Sequence, residues 1–172
     1  MTAAAPHRPT EAFAALKRLG VRVAVCVPDS WLGGIMEQID RDPGMTLIRA
    51  THEEEALAIG CGARLGGART VLLIQNVGLL TMGAGLVSLA MRYQFPILIL
   101  ASYRGSPRDP VFYHIPKGRA TEPVLQGCAP THARASQTSS CSRLEYSSCK
   151  TPSEDPLPRT SIRSDAKPRS AK

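Results

Sequence analysis

The chain has 172 residues, 43% hydrophobic and 20% charged, which is enough for one domain with a real core and too few for two. Its formal net charge of +7 is diffuse, with 13 Lys and Arg against 9 Asp and Glu in residues 1–119 and 8 against 5 in residues 120–172. With no basic run interleaved with aromatics, and only one Trp, three Phe and four Tyr for base stacking, the composition argues against a nucleic-acid binder.

After a start expected to be flexible (residues 1–9), residues 10–20 read as a short amphipathic helix that Thr10 caps and Gly20 ends. Val21-Arg22-Val23-Ala24-Val25-Cys26-Val27 is a short β-branched run that stops at Pro28-Asp29-Ser30, predicting a buried strand and a turn. Ser30 or Asp29 then caps a helix over residues 31–41, where Leu32, Ile35, Met36 and Ile39 recur at helical spacing until Asp42-Pro43-Gly44 breaks it. A second strand, residues 45–50, delivers the chain to His52-Glu53-Glu54-Glu55 and a small, apolar helix ending at Gly66-Gly67. Carboxylates cost little at the mouth of a helix, where unpaired N–H groups and the positive end of the dipole stabilise them. One carried into the close-packed Ala/Gly body that follows is a candidate for proton chemistry.

A third strand is predicted over residues 70–75, then a turn at Asn76-Val77-Gly78 and a long small-residue helix over residues 79–93. The fourth strand, residues 96–101, ends at Ser102-Tyr103-Arg104-Gly105, and residues 121–126 read as the first turns of one more helix. From residue 127 onward Ser, Thr, Pro, Arg and Lys dominate without periodicity, which predicts a disordered or non-native tail over residues 127–172. The domain over residues 10–126 would want another helix and strand to be complete. Residues 70–91 carry no charge and pass the length test for a membrane span. Gln75, Asn76 and the glycines at 78, 83 and 85 divide that stretch into strand, turn and helix, so no membrane role is expected. Five cysteines without a C-x-x-C pair or matching histidine spacing predict no metal site, and with no secretory leader the cytoplasm is the default compartment.

Four alternations of strand and helix with short connections predict an α/β fold, a doubly wound parallel sheet covered by helices on both faces. In such sheets ligands lie off the carboxyl ends of the strands. Pro28-Asp29-Ser30, His52-Glu53, Gln75-Asn76-Val77-Gly78 and Ser102-Tyr103-Arg104-Gly105 all fall at that edge.

The order and spacing of Val27-Pro28-Asp29-Ser30, His52-Glu53-Glu54-Glu55-Ala56 with Gly60-x-Gly62, Gln75-Asn76-Val77-Gly78-Leu79, Tyr93-x-x-Pro96 and Arg104-Gly105 resemble a known domain. It is the pyrimidine-binding domain of thiamine-diphosphate-dependent decarboxylases, and the likeness covers residues 10–126. Within that family the likeness is nearest to the alpha subunits of sulfopyruvate decarboxylases, with phosphonopyruvate decarboxylases next. The resemblance implies that Glu53 hydrogen-bonds the pyrimidine ring of the cofactor and starts the proton transfer that activates its thiazolium carbon, and that Gln75, Asn76 and Gly78 also line the cofactor. It further implies that Asp29, Ser30, His52, Arg104 and His114 face the substrate, a small anionic 2-oxo acid, 3-sulfopyruvate ahead of phosphonopyruvate. Plainer jobs stay open for the same residues: a solvated acidic first turn for Glu53 to Glu55, Glu54 above all, a helix cap for Asp29 and Ser30, a cap-adjacent place for His52, a strand terminus for Gln75 and Asn76, and solvent for Arg104.

The chain departs from the family pattern at Val77, Leu80 and Thr81, which replace a small residue, a glycine and an asparagine with bulk that would crowd the cofactor. There is also no Gly-Asp-Gly segment to ligate Mg²⁺. The expected partner is therefore a separate diphosphate-binding subunit that holds Mg²⁺ in a hetero-oligomer. A truncated, non-catalytic remnant or binding module of the same fold is the alternative. A nucleotide-binding module is disfavoured because the first strand runs into Val27-Pro28-Asp29-Ser30 and not a glycine-rich loop.

Overall fold

The computed structural model of the chain describes residues 9–107 and 109–128. Of the expected flexible start, residues 1–9, only Pro9 is described, and it is helical; of the expected tail, residues 127–172, everything from residue 129 lies outside the described residues. The first helix, α1 (Pro9–Arg18), begins on a proline, whose missing N–H costs nothing in a first turn. It buries Leu16 and hands over to β1 (Val23–Cys26). Then follow α2 (Gly33–Arg41), β2 (Thr46–Arg49), α3 (Glu53–Leu65) and β3 (Thr70–Gln75). The strands align as one parallel sheet in the order β2-β1-β3-β4, where β4 is Leu98–Ser102. Val25 sits opposite both Ile48 and Leu72, and Leu73 opposite Leu100.

Side chains alternate across a strand, so each central strand feeds two cores. Ala24, Cys26, Val71 and Leu73 pack with Leu16, Ile35 and Ile39 from α1 and α2. On the other face Val25, Leu72 and Ile74 meet Ala56, Leu57 and Cys61 from α3 and Leu79, Met82 and Leu86 beyond β3. The doubly wound reading of the sequence thus holds, with helices on both faces. Because all four strands run the same way, their carboxyl ends share one edge. The strand order reverses between β1 and β3, and the crevice at such a reversal is where open α/β sheets bind ligands.

Three elements differ from the sequence expectation. The helix expected from residue 31 starts at Gly33, and neither Asp29 nor Ser30 caps it. A backbone bond from Leu32 N–H to the Asp29 carbonyl (3.2 Å) closes that turn, which leaves the Asp29 carboxylate for long-range partners. The long helix expected over residues 79–93 begins earlier and breaks into pieces. Asn76 opens α4 (Asn76–Thr81) directly at the end of β3, in place of the expected turn. The short α5 (Gly83–Gly85) and a π-helical turn (Leu86–Met91) complete it. Ser88 Oγ donates back to the Ala84 carbonyl at 2.7 Å, a local bond that bends helices. No helix among the described residues is long and apolar enough to cross a membrane.

The third difference is α6 (Ile115–Cys128), preceded by a single 3-10 turn (Phe112–His114). It starts well before the residues expected to open a helix, and it carries Gly127 and Cys128 of the expected tail. Pro116 falls in its first turn, Pro123 sits inside it and Gly118 lies between them, so local propensity argues against a helix here. Tertiary contact decides otherwise. Gly118 lies against Gly105, a Cβ at Gly118 falling 2.7 Å from the Gly105 carbonyl oxygen, and Leu125 packs on the core of the α3 face.

Gly105 and Gly67 both adopt positive φ, at +81° and +86°, but a Cβ at Gly67 meets open space while one at Gly105 runs into the backbone of His114 and Gly118. Gly67→Ala is expected to cost about 1–2 kcal/mol, the conformational term alone. Gly105→Ala is expected to cost at least about twice that, because the β4 loop must then part from α6. Equal costs in urea unfolding would mean that this close approach adds nothing to stability.

Candidate active site

The mouth of α3 sorts its three carboxylates. His52 holds an extended backbone as N-cap, and its Nδ1 accepts from Glu55 N–H at 3.4 Å. Glu55 reaches back so that its Oε2 accepts from Thr51 N–H (2.7 Å) and Thr51 Oγ1 (2.6 Å). This reciprocal arrangement caps the helix. The Thr51 hydroxyl, then its amide, hold the Glu55 carboxyl below the usual carboxylate range. Glu54 is exposed. That leaves Glu53, half-buried and with no hydrogen-bond partner among the described residues. Its side chain lies across Gly78 at the start of α4. A Cβ at position 78 would fall 2.6 Å from Glu53 Cδ and 2.7 Å from Oε1, and closer still to Cγ. Gly78 is therefore glycine because Glu53 occupies the space its side chain would need.

Next along the edge, three strand ends meet at the switch point. Gln75 Nε2 donates to Asp29 Oδ1 at 2.9 Å. Arg104 Nη2 pairs with the same oxygen and donates to Ser30 Oγ at 3.3 Å. The Arg104 guanidinium carbon stands 4.0 Å over the centre of the Trp31 ring, a cation–π stack. The sequence reading gave Arg104 either to a negative substrate group or to solvent; the residue is 7% exposed and its charge is already matched by a buried carboxylate. Asp29 Oδ2 and Arg104 Nε are buried and have no partner among the described residues. A buried ion pair repays its desolvation only when its remaining polar atoms are satisfied, so these two atoms are where a ligand group has most to gain.

Asn76 points elsewhere. It is fully buried, its Nδ2 donates to the Arg104 carbonyl (3.0 Å) and Thr121 Oγ1 (2.9 Å), and its Oδ1 accepts from Arg104 N–H (3.0 Å). Every polar atom of its side chain is thus engaged by protein, a tie between β3, the end of β4 and α6. His114 closes the 3-10 turn with Nδ1 2.7 Å from Asp109 Oδ2. Asp109 also accepts from Gly105 N–H on Oδ2 (2.8 Å) and from Val111 N–H on Oδ1 (3.1 Å). Burial pushes the Asp109 carboxyl up, but these backbone bonds together with His114 outweigh it and leave the group below the usual range. Of the bulky departures, Thr81 is exposed and folds its hydroxyl back onto the Gly78 carbonyl at 3.0 Å.

The edge therefore assembles Asp29, Ser30, Gln75 and Arg104 in one cluster, Glu53 over Gly78 beside it, and His114 on the loop anchored to Arg104. His52 stays exposed at the helix mouth. Sequence reasoning missed Trp31, Asp109 and Thr121. Asp109, between Arg108 and Pro110, does carry a turn signal that marks it as a loop organiser.

Asn76→Ala leaves the Arg104 backbone amide and carbonyl without partners, while the Thr121 hydroxyl keeps its bond to the Lys117 carbonyl (2.8 Å), and is expected to lower stability by about 2–3 kcal/mol in urea unfolding. For Asp109 the folded carboxyl titrates below its unfolded value, so its stabilisation is full above about pH 4 and is lost as pH falls through the folded value. The stability gap between pH 7 and pH 3 is accordingly expected to shrink in Asp109→Asn, and an unchanged gap would remove Asp109 from the acid response.

Comparison with known proteins agrees with this geometry. Residues 11–123 match the family described as thiamine pyrophosphate enzyme, N-terminal TPP binding domain. The chain is 35% identical over 114 residues to sulfopyruvate decarboxylase subunit alpha of Methanothermobacter thermautotrophicus, covering 66% of this chain and 69% of that protein. It is 32% identical over 137 residues to the subunit of the same name from Methanocaldococcus jannaschii, covering 79% and 81%. With phosphonopyruvate decarboxylase of Streptomyces viridochromogenes the identity is 34% over 117 residues, 67% of this chain but 29% of that longer protein. A half-buried carboxylate at a helix mouth with no partner among the described residues, at the carboxyl edge of a parallel sheet, and a family match over residues 11–123 lead to one assignment: this chain belongs to the thiamine pyrophosphate enzymes, as their N-terminal, cofactor-binding domain.

Proposed function

We propose that this chain is the pyrimidine-binding subunit of a split, thiamine-diphosphate-dependent decarboxylase that acts on a small anionic 2-oxo acid, 3-sulfopyruvate ahead of phosphonopyruvate. The observation that carries the reading is Glu53, a half-buried carboxylate held over Gly78 with no partner among the described residues. When bound, thiamine diphosphate supplies the nucleophilic carbon and the electron sink that decarboxylation of a 2-oxo acid requires. Glu53 fits the pyrimidine end of that group: a carboxylate near the positive end of a helix can hydrogen-bond a weakly basic ring nitrogen and share a proton with it.

Gln75, oriented by Asp29, completes the cofactor-facing set, and Gly78 serves it by making room for the Glu53 side chain. Asn76 serves that set from behind by holding the Arg104 backbone. Ser30, the free Nε of Arg104, His52 and His114 are the groups left to meet the substrate. The net charge of the Asp29–Arg104 pair is zero, so the pair orients an acidic substrate group through a donor hydrogen and not through an unbalanced positive charge.

The diphosphate and Mg²⁺ belong in this reading to a second subunit. The sequence holds no Gly-Asp-Gly segment, and the relatives at 35% and 32% identity are named as alpha subunits. Cytoplasmic placement suits the thiols: Cys26 and Cys61 are free and buried, and burial pushes both up, away from reactivity.

The test is co-expression with a diphosphate-binding partner, cofactor and Mg²⁺, following CO₂ release from 3-sulfopyruvate and from phosphonopyruvate. Turnover is expected, with the higher kcat/KM on 3-sulfopyruvate. Glu53→Gln is expected to lower kcat by about 10²-fold or more, and Gly78→Ala, which displaces Glu53, to do the same. A well-assembled complex with no turnover would sink the enzymatic reading and favour a non-catalytic remnant.

A further inference from the structure

Asp109 carries more than a loop. Its carboxylate receives three groups, Gly105 N–H and the His114 ring nitrogen on Oδ2 and Val111 N–H on Oδ1. Backbone amides only donate, so each oxygen must present lone pairs to an amide. Amide donors on both oxygens favour the ionised form of the carboxyl over the protonated one. The same bonds keep the carboxyl ionised at neutral pH, below the usual range. An ionised carboxylate accepts only, and the ring nitrogen 2.7 Å away must therefore be the donor.

We propose that Asp109 is a positioning residue that fixes His114 in the tautomer protonated at Nδ1, leaving Nε2 as the nitrogen offered to the substrate. In the opposite tautomer the Nδ1 lone pair would face the carboxylate, with no donor between them. Nε2 has no partner among the described residues, and the ring as a whole is held. The Tyr113 ring meets it edge-on with centroids 4.7 Å apart at 77°, and Lys117 lies over Tyr113 at 5.7 Å. The histidine side chain is 13% exposed.

The residue is tied to the rest of the edge through touching groups. A Cβ at Gly105 would collide with the His114 carbonyl, Gly105 follows Arg104, and Asn76 grips the Arg104 backbone two residues before Gly78 meets Glu53. This proposal rests on the reading above that gives His114 a substrate-facing place, and it adds the residue that decides which ring nitrogen does the facing.

The direct test is nitrogen-15 NMR of His114 in the full chain, with pH raised until the ring shifts stop changing. The wild-type ring is expected to carry its proton on Nδ1. In Asp109→Ala the proton is expected to move to Nε2, and in the assembled complex kcat falls by about 10²-fold or more with KM changed less than about threefold. A wild-type ring protonated at Nε2 overturns the proposal, and that measurement decides even if Asp109→Ala does not fold. So does an Asp109→Ala complex that turns over at the wild-type rate while His114→Ala does not. Wild-type turnover in His114→Ala would instead remove His114 from the substrate site, a failure of the broader reading and not of the tautomer assignment.

Discussion

The candidate site depends on one buried carboxamide. Past the end of β4 the backbone of Arg104 has left the sheet ladder, and its N–H and C=O need partners in a place closed to water. Asn76 supplies both, accepting from the N–H and donating to the C=O, and its second N–H goes to Thr121 on α6. Among side chains of this length only asparagine offers an acceptor and two donors. With the Arg104 backbone fixed, its guanidinium turns back over Trp31 toward Asp29, Gly105 is presented to Gly118, and the turn bearing His114 is set down beside the strand ends.

The edge distributes its charges accordingly. Asp29 has Arg104 and Gln75, Glu55 has Thr51, and Asp109 has two backbone amides and His114. Each of these carboxylates is occupied by protein. Glu53 has no such partner among the described residues, in a position where the space above Gly78 is taken by its side chain. Of the acidic triplet, Glu55 is engaged by Thr51 and Glu54 is exposed, so the proposed proton-sharing role is given to Glu53, which is half-buried over Gly78. Gly105 and Gly118 work at the other end of the same edge, removing side-chain bulk so that two backbones can meet.

Much of the fold was legible in the sequence because its signals are local. Short β-branched runs, helical spacing of Ile35 and Ile39, the carboxylate triplet ahead of an Ala/Gly body and the stops at Gly20 and Gly66 each act within a few residues. Alternation of strand and helix then leaves a parallel sheet as the economical arrangement. The elements that eluded it are those where local preference loses to tertiary contact. Residues 115–128 are helical despite two prolines and two glycines, because α6 is held by Thr121, Gly118 and Leu125. The helix after β3 starts without a turn because its first residue is the one that grips Arg104.

The candidate site divides along the same line. The sequence by itself determined the parallel α/β sheet, the strand-end edge and the placing of Glu53 at the mouth of α3, since dipoles, caps and periodicity depend only on near neighbours along the chain. Only the tertiary structure decided that Arg104 pairs with Asp29 75 residues away, that Asn76 faces inward, that Gly78 makes room for Glu53, and that Asp109 holds His114. Those outcomes rest on hydrogen-bonding capacity shared between segments remote in sequence, and which donor finds which acceptor is set only when the packed core has brought them to the same edge.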